Sequence, residues 1–108
     1  MSRESDRILS MKAEVFKALG HPIRLAVVEA LRDGEACVCD IAEAVRAERP
    51  NVSRHLAVLV AAGVLESRKE GLMVYYRLKT PCVLDFFACV EGVLREQLSE
   101  TRQLLKSL

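Results

Sequence analysis

The sequence predicts one mainly α-helical domain that carries a small β-hairpin, and three observations support this prediction. The chain has 108 residues, of which 51% are apolar, which is enough for one domain with a modest core. Only 5% of the residues are aromatic, so we expect a core of Leu, Val, Ile and Ala, which suits packed helices. Apolar residues recur at helical spacing along most of the chain, whereas residues 64–78 have the period of strands.

Four helices are predicted before the strands. Gly20 follows the first, Gly34 follows the second, and Gly63 follows the fourth, as is typical of helix ends. A charged loop separates the third helix from the fourth, which begins at Pro50, a residue that suits the first turn of a helix. The expected bounds are, in order, 5–19, 23–31, 37–45 and 50–62.

The strand-like part of the chain consists of two short runs and a turn. Residues 64–68 and 72–78 are rich in residues that favour strands, and Glu70-Gly71 joins them. A long last helix is expected from about Thr80 towards the C-terminus. The prediction is therefore a hairpin followed by one more helix.

This order of elements is that of a winged helix-turn-helix domain. The helix-turn-helix is expected at about 37–62 and the wing at about 64–78. No repeat, low-complexity segment or linker divides the chain, so we expect a single DNA-binding domain over residues 1–108. The helices at 5–19 and 80–107 remain for pairing two subunits.

The last helix carries a wide apolar stripe, which indicates a homodimer. A terminal helix this apolar would be too exposed in a monomer of this size. Pairing it with the first helix and with a second subunit would bury it and would set the distance between the two DNA-reading helices. The stripe consists of Leu84, Phe87, Val90, Leu94 and Leu98.

Charge and composition restrict the partners and the compartment. The formal net charge is only +1, so contact with DNA must come from a local basic cluster that a dimer doubles. No apolar stretch reaches the roughly 18 residues that span a bilayer, and the N-terminus is charged rather than signal-like. We expect a cytoplasmic protein with no membrane partner. A reducing compartment favours metal ligands or redox thiols over disulfides for the four cysteines.

The fourth helix is the expected DNA-reading element. Val52, Leu56 and Leu59 recur at helical spacing and should face the core. The side chains that then lie on or beside the outward face, near the start of the helix, are Asn51, Ser53 and Arg54. Arg54 can make a bidentate contact with guanine, which is worth about 1–3 kcal/mol of discrimination.

The remaining DNA contacts are expected to be with the backbone. His55 borders the core stripe, so it can either contact a phosphate or serve as a structural histidine. Arg49, just before the helix, and Arg68 and Lys69 in the wing can reach phosphates or the minor groove.

Several segments carry a resemblance that is specific in this order and spacing. They are Ala18-Leu19-Gly20-His21-Pro22-Ile23-Arg24-Leu25, Val52-Ser53-Arg54-His55-Leu56, Ala62-Gly63-Val64-Leu65 and Tyr75-Tyr76-Arg77-Leu78. Together they resemble the ArsR/SmtB family of metal-responsive bacterial repressors. The run Cys37-Val38-Cys39-Asp40-Ile41 is similar to the thiolate motif of the arsenic-sensing, ArsR-like branch and of the cadmium-sensing branch. The resemblance implies a homodimer that represses a resistance operon and leaves its operator when metal binds.

Cys37 and Cys39 are the candidate metal ligands, although residues two apart inside a regular helix point to nearly opposite sides. Cys37 falls at the expected N-cap of the third helix, with Asp40 in the position of a capping-box acid. An N-cap residue has non-helical dihedrals, so its sulfur can turn towards that of Cys39. The backbone N–H groups at a helix start also favour the thiolate, which is the form that binds metal.

Soft thiolates select soft ions, so As(III) or Sb(III) is the expected inducer, with Cd(II), Pb(II) or Zn(II) as the alternatives. Two thiolates rarely complete a site. The family's arsenic-sensing pattern has a third cysteine where this chain has Ala42, and its cadmium-sensing branch uses cysteines of an N-terminal arm that here has none. Cys82 or Cys89 of either subunit, an external thiol or water remains as the third ligand. The family's zinc site on the last helix would fall on Thr80, Cys82, Val93 and Glu96, of which two cannot ligate usefully, so we do not expect it intact.

The hypothesis is an apo dimer that binds a pseudo-palindromic operator until a soft ion draws Cys37 and Cys39 together. That closure would distort the start of the third helix and move the reading helix. A thiol redox-sensing repressor on the same scaffold and a winged-helix protein that binds only a protein partner are the alternatives. We do not expect an enzyme, because no phosphate-cradling glycine loop, catalytic carboxylate pair or nucleophile–base pair is visible.

Overall fold

The computed structural model describes residues 2–108 and has the predicted architecture, a mainly helical winged helix-turn-helix with a small antiparallel sheet. The helices are α1 (Arg3–Leu19), α2 (Pro22–Ala30), α3 (Val38–Val45), α4 (Arg49–Ala61) and α5 (Val83–Lys106). The strands are β1 (Ala36–Cys37), β2 (Leu65–Glu70) and β3 (Met73–Leu78).

The helix starts follow local capping chemistry. The hydroxyl of Ser2 accepts a hydrogen bond from the amide of Ser5 at 3.1 Å, so α1 begins at Arg3, earlier than expected. His21 caps α2 in the same way, since its Nδ1 accepts from the amide of Ile23 at 3.1 Å. Each cap satisfies one of the backbone donors that a helix leaves unpaired in its first turn.

The prediction of a hairpin alone was incomplete, because the sheet has a third strand. β1 pairs antiparallel with β3, with Ala36 opposite Tyr76 and Cys37 opposite Tyr75, which gives the strand order β1-β3-β2. A strand of two residues is too short to show an alternating pattern, so its sequence carries no periodic signal. The consequence is that the segment containing Cys37 is hydrogen-bonded to the wing.

The core lies between the end of α1, α2, α3, α4 and the start of β2. The predicted inward face of α4 is confirmed, since Val52, Leu56 and Leu59 are fully buried. Ile41 of α3 and Val64, just before β2, are also fully buried and join the same cluster. The two helices of the helix-turn-helix therefore share one apolar interface.

The first and last helices present a large apolar surface. Phe16 of α1 and Phe86 of α5 pack edge to face with ring centroids 5.6 Å apart, yet each keeps about half of its surface exposed, 53% and 48% respectively. Along α5, Leu94 and Leu98 are 55% and 54% exposed. An apolar face this continuous is unusual on a monomeric protein.

Among residues 2–108, no helix is both long enough and apolar enough to cross a bilayer.

Candidate nucleic-acid interface and thiol pair

The turn between α3 and α4 positions the reading helix. Arg46 ends α3 in the left-handed region, with φ 57°, and its amide donates back to Ala42 and Glu43. Glu48 is the N-cap residue of α4, with extended backbone and no side-chain capping hydrogen bond, and Arg49 and Pro50 lie in the first turn of α4. The sequence predicts Arg49 in the loop before the reading helix. The structure instead places it in the first turn of that helix.

The outward face of α4 carries the side chains expected there. Ser53 and Arg54 are exposed, and Asn51 beside them is half-buried. They lie near the N-terminal end of α4, the part of a recognition helix that contacts base edges in helix-turn-helix proteins. Their position follows from the burial of the opposite face, which fixes the rotation of α4 about its axis.

His55 has a structural partner inside the protein. Its Nδ1 accepts a hydrogen bond from Nε of Arg24 at 3.1 Å, and its ring lies 4.4 Å from that of His21. Burial lowers the pKa of His55, and the neighbouring basic side chains of His21, Arg24 and Arg54 add to this effect. Of the two roles expected for His55, this geometry favours the structural one.

The two basic residues of the wing differ in their surroundings. Arg68 donates to Glu35 at 3.0 Å and to Glu70 at 2.6 Å, and its guanidinium lies 4.7 Å from the ring centre of Tyr75. These carboxylates raise the pKa of Arg68 and offset its charge. Lys69, the next residue, is exposed on β2. Lys69 is therefore the freer of the two for contact with a phosphate.

Cys37 is the N-cap of α3, as predicted, with extended backbone at φ −81° and ψ 165°. The capping-box interpretation was wrong, because the side chain of Cys37 makes no capping hydrogen bond. The thiol is instead buried, at 6% exposure, while Asp40 is exposed. A buried cysteine behaves as a small hydrophobic group, so the side chain of Cys37 packs in the interior and does not accept a hydrogen bond from the start of α3.

Cys39 lies in the first turn of α3, half-buried, and its sulfur contacts a guanidinium N–H of Arg49. The thiol pair is thus joined to both the wing and α4: Cys37 through the β1–β3 ladder to the wing, and Cys39 through Arg49 to α4. Sequence reasoning had placed Arg49 and Cys39 in separate sites. Their ten-residue separation carries no helical or strand period that would pair them.

The other cysteines lie on the surface. Cys82 precedes α5 and Cys89 lies within it, and both are exposed. Between residues 2 and 108, the structure groups no three His, Cys, Asp or Glu side chains in a way that could hold a metal ion. The third ligand of the candidate thiolate site stays a prediction.

Two residues with evident roles were missed from the sequence. Arg24 reaches His55 across 31 positions of the chain, and Glu35 reaches Arg68 across 33. Contacts of this range depend on the tertiary fold. The sequence itself offers only two weak signals for these contacts. His21 before Pro22 marks the start of the helix that contains Arg24, and Glu35 and Arg68 have opposite charges.

A helix-turn-helix with an exposed arginine on its second helix, followed by a wing with an exposed lysine, defines a DNA-binding protein of the winged-helix class. A family model described as bacterial regulatory protein, arsR family, matches residues 21–67. An uncharacterised HTH-type transcriptional regulator of Mycobacterium tuberculosis is 33% identical over 106 residues, which covers 97% of this chain and 93% of that protein.

The chain is also similar to one solved structure and to one repressor whose name states its operon. The solution structure of a homodimeric winged helix-turn-helix DNA-binding domain from Mycobacterium bovis is 34% identical, covers 93% of each chain and has a TM-score of 0.77. The arsenical resistance operon repressor of Escherichia coli is 46% identical over 66 residues, which is 60% of this chain and 56% of that protein.

The chain therefore belongs to the ArsR family of helix-turn-helix transcriptional regulators. Because these relatives are transcriptional regulators, the prediction of a DNA-binding regulator rather than an enzyme is confirmed.

Proposed function

We propose that this protein is a cytoplasmic, homodimeric repressor of a metal(loid)-resistance operon. As(III) or Sb(III) bound by Cys37 and Cys39 would release it from operator DNA. The observation that carries the proposal is the contact between the sulfur of Cys39 and Arg49 in the first turn of α4. A ligand on that sulfur would displace the guanidinium of Arg49, whose backbone forms the first turn of the reading helix.

The exposed apolar surface of α1 and α5 supports the homodimer. Its members include Phe16, Phe86, Leu94 and Leu98, each about half exposed in the single chain. A symmetric dimer buries the same patch twice and places two copies of α4 for two operator half-sites. The related Mycobacterium bovis domain is homodimeric.

Charge placement supports operator binding despite the low net charge. Arg54 offers a base contact on α4, and Lys69 offers a phosphate contact in the wing. A dimer presents both contacts twice. The net charge of +1 per chain is then compatible with binding, because the contacts need only these local basic groups, which the dimer doubles.

The release step follows from the position of the thiols. Drawing the sulfurs of Cys37 and Cys39 onto one ion changes the dihedrals of the α3 start, where Cys37 is also paired with Tyr75 of the wing. Because α3 packs on α4, the reading helix shifts with it. A coupling free energy of about 1–3 kcal/mol would weaken operator binding about 5- to 150-fold.

The chemistry of two thiolates suits trivalent arsenic or antimony, with Cd(II), Pb(II) and Zn(II) as alternative ions. Cys82 or Cys89, from the same or the partner subunit, is the proposed third ligand. Both are exposed and so open to such a contact. Water or an external thiol would complete the site otherwise.

The experiment uses a labelled duplex that the apo protein has selected from a random pool. We expect As(III) or Sb(III) to raise the operator Kd of the wild type, as measured by fluorescence anisotropy. Cys37→Ser and Cys39→Ser should bind the duplex but resist release. Cys82→Ser and Cys89→Ser serve as matched single-thiol variants, and whichever of them also resists release identifies the third ligand. Unchanged release in both Cys37→Ser and Cys39→Ser would refute the proposal.

Mass spectrometry separates this proposal from thiol redox sensing. Native mass after addition of ion should show one ion per site. If peroxide or polysulfide releases the duplex with a matching change in covalent mass, and no ion does so, the redox alternative is correct instead.

A further inference from the structure

Arg24 joins three helices through one guanidinium. Its Nε donates to Nδ1 of His55 on α4 at 3.1 Å, and its Nη1 donates to the carbonyl of Ala18 in the last turn of α1 at 3.2 Å. Carbonyls in the last turn of a helix have no partner within that helix, so Ala18 gains one from Arg24. Arg24 itself lies in the first turns of α2. This polar contact spans the subunit-pairing helix and the DNA-reading helix.

The apolar packing beside this contact is open. A groove of about 460 Å³ lies between α1 and the second half of α4, with Ala18, Arg24 and Val58 among its lining residues. Close-packed side chains normally fix the angle between two helices. Buried Ala18 and Leu19 at the end of α1 supply apolar packing against the core that includes α4. Where the groove interrupts that packing, the guanidinium of Arg24 adds a polar bridge between α1 and α4.

The contact requires His55 to be neutral. A histidine nitrogen accepts a hydrogen bond only when it carries no proton, so His55 holds its proton on Nε2. The titratable groups that face His55 are basic: the ring of His21, the N-cap of α2, lies against it at a tilt of 41°, Arg24 donates to it from α2, and Arg54 precedes it on α4. A proton added at Nδ1 would turn the acceptor into a second donor facing the guanidinium.

We propose that Arg24 is a positioning residue for DNA recognition, which holds α4 at its DNA-matched angle to α1 through neutral His55. Arg24 acts through His55, which is adjacent in sequence to the base-reading candidate Arg54. In a dimer that pairs through α1 and α5, this angle decides whether both reading helices fit successive half-sites. The role concerns operator binding and does not depend on which inducer the thiols bind.

The first prediction concerns affinity at neutral pH. Arg24→Gln should weaken binding of the selected duplex about tenfold, equivalent to about 1.4 kcal/mol, while sedimentation still shows a dimer. Arg3→Gln, which removes the same charge from an exposed position near the start of α1, should change the affinity less than about twofold.

The second prediction is a pH profile that a merely structural role would not produce. The pKa of His55 is lowered in the folded protein, so its neutral form stabilises the native arrangement at neutral pH, and this stabilisation is lost as pH falls through the folded pKa. The operator Kd of the wild type should therefore rise as pH falls below about 6.5, the ordinary pKa of histidine. His55→Gln keeps an acceptor that does not titrate, so its profile from pH 8 to 5.5 should be flat.

His21→Asn is the control for the neighbouring ring. Asparagine is a good N-cap and can accept from the amide of Ile23, so α2 should keep its start while the imidazole ring beside His55 is removed. This variant should retain the acidic loss of affinity. If His55→Gln loses affinity in acid as the wild type does, or if folded Arg24→Gln binds as tightly as the wild type, the proposal is wrong. Should Arg24→Gln fail to fold, the His55→Gln profile decides alone.

Discussion

Arg49 lies between the two surfaces on which the proposed function depends. Its guanidinium contacts the sulfur of Cys39, and its backbone forms the first turn of α4. Sequence reasoning recognised both residues, because a paired-cysteine motif and a basic residue before a helix are local signals. It could not join them, since the contact depends on the turn set by Arg46 in the left-handed region.

Arg49→Gln should weaken the coupling between inducer and operator. The wild type is expected to lose about 5- to 150-fold in operator affinity on binding the ion, and the variant under about threefold. The physical reason is that an ion on Cys39 no longer displaces a side chain anchored in α4. The ratio of the operator Kd with and without ion, measured by anisotropy, checks this.

Arg46→Gln is the matched control, because it changes an exposed arginine of the same turn that has no part in the proposed mechanism. It should keep the coupling of the wild type. Equal coupling in Arg49→Gln and in the wild type would show that Arg49 does not transmit the signal, even if the ion still releases DNA.

At the scale of elements, the wing combines predicted and unpredicted features. Its two long strands were correctly predicted, because each carries strand-forming residues and Glu70-Gly71 marks the turn, with Gly71 at φ 61°. β1 was missed because a two-residue strand is defined only by its partner. The attachment of Arg68 to Glu35 was missed for the same reason, although it makes the cysteine segment and the wing one unit.

Lys69 and Arg68 should therefore contribute differently to DNA binding. Lys69→Gln removes one phosphate contact from each subunit of the dimer, so it should reduce the slope of log affinity against log salt concentration by about 1.8, at about 0.9 for each contact. Arg68→Gln should change that slope less, because Glu35 and Glu70 already offset the charge of Arg68. Operator affinities at several salt concentrations decide the point, and a larger change in Arg68→Gln than in Lys69→Gln would contradict it.

At the scale of the whole molecule, the single chain leaves the apolar side chains of its last helix without a partner to bury them. The core is formed by the helix-turn-helix together with the end of α1, α2 and the start of β2, and no residue of α5 is buried. The sequence predicted this outcome, since the stripe along the last helix was too apolar for a monomer. The sequence could not indicate the hydrogen bonds that link α1 to α4, because Arg24 and His55 are brought together only by the fold.

Leu94→Glu should disrupt the dimer. Burial of one leucine side chain is worth about 1.5–3 kcal/mol, so the dimer dissociation constant should rise by at least about tenfold. Leu72→Glu makes the same change at the turn of the wing, where the side chain is 98% exposed, and should leave the dimer intact. Sedimentation over a dilution series compares the two. If both variants dissociate equally, or neither does, α5 is not the pairing surface.

The proposed function is tested most directly by X-ray absorption at the arsenic edge, on a sample whose operator release is measured in parallel. We expect the bound ion to have sulfur neighbours, with at least one sulfur lost in Cys37→Ser and in Cys39→Ser, and release lost along with it. An inducing ion with the same sulfur count in the wild type and in both variants would show that it binds elsewhere, and would contradict the account.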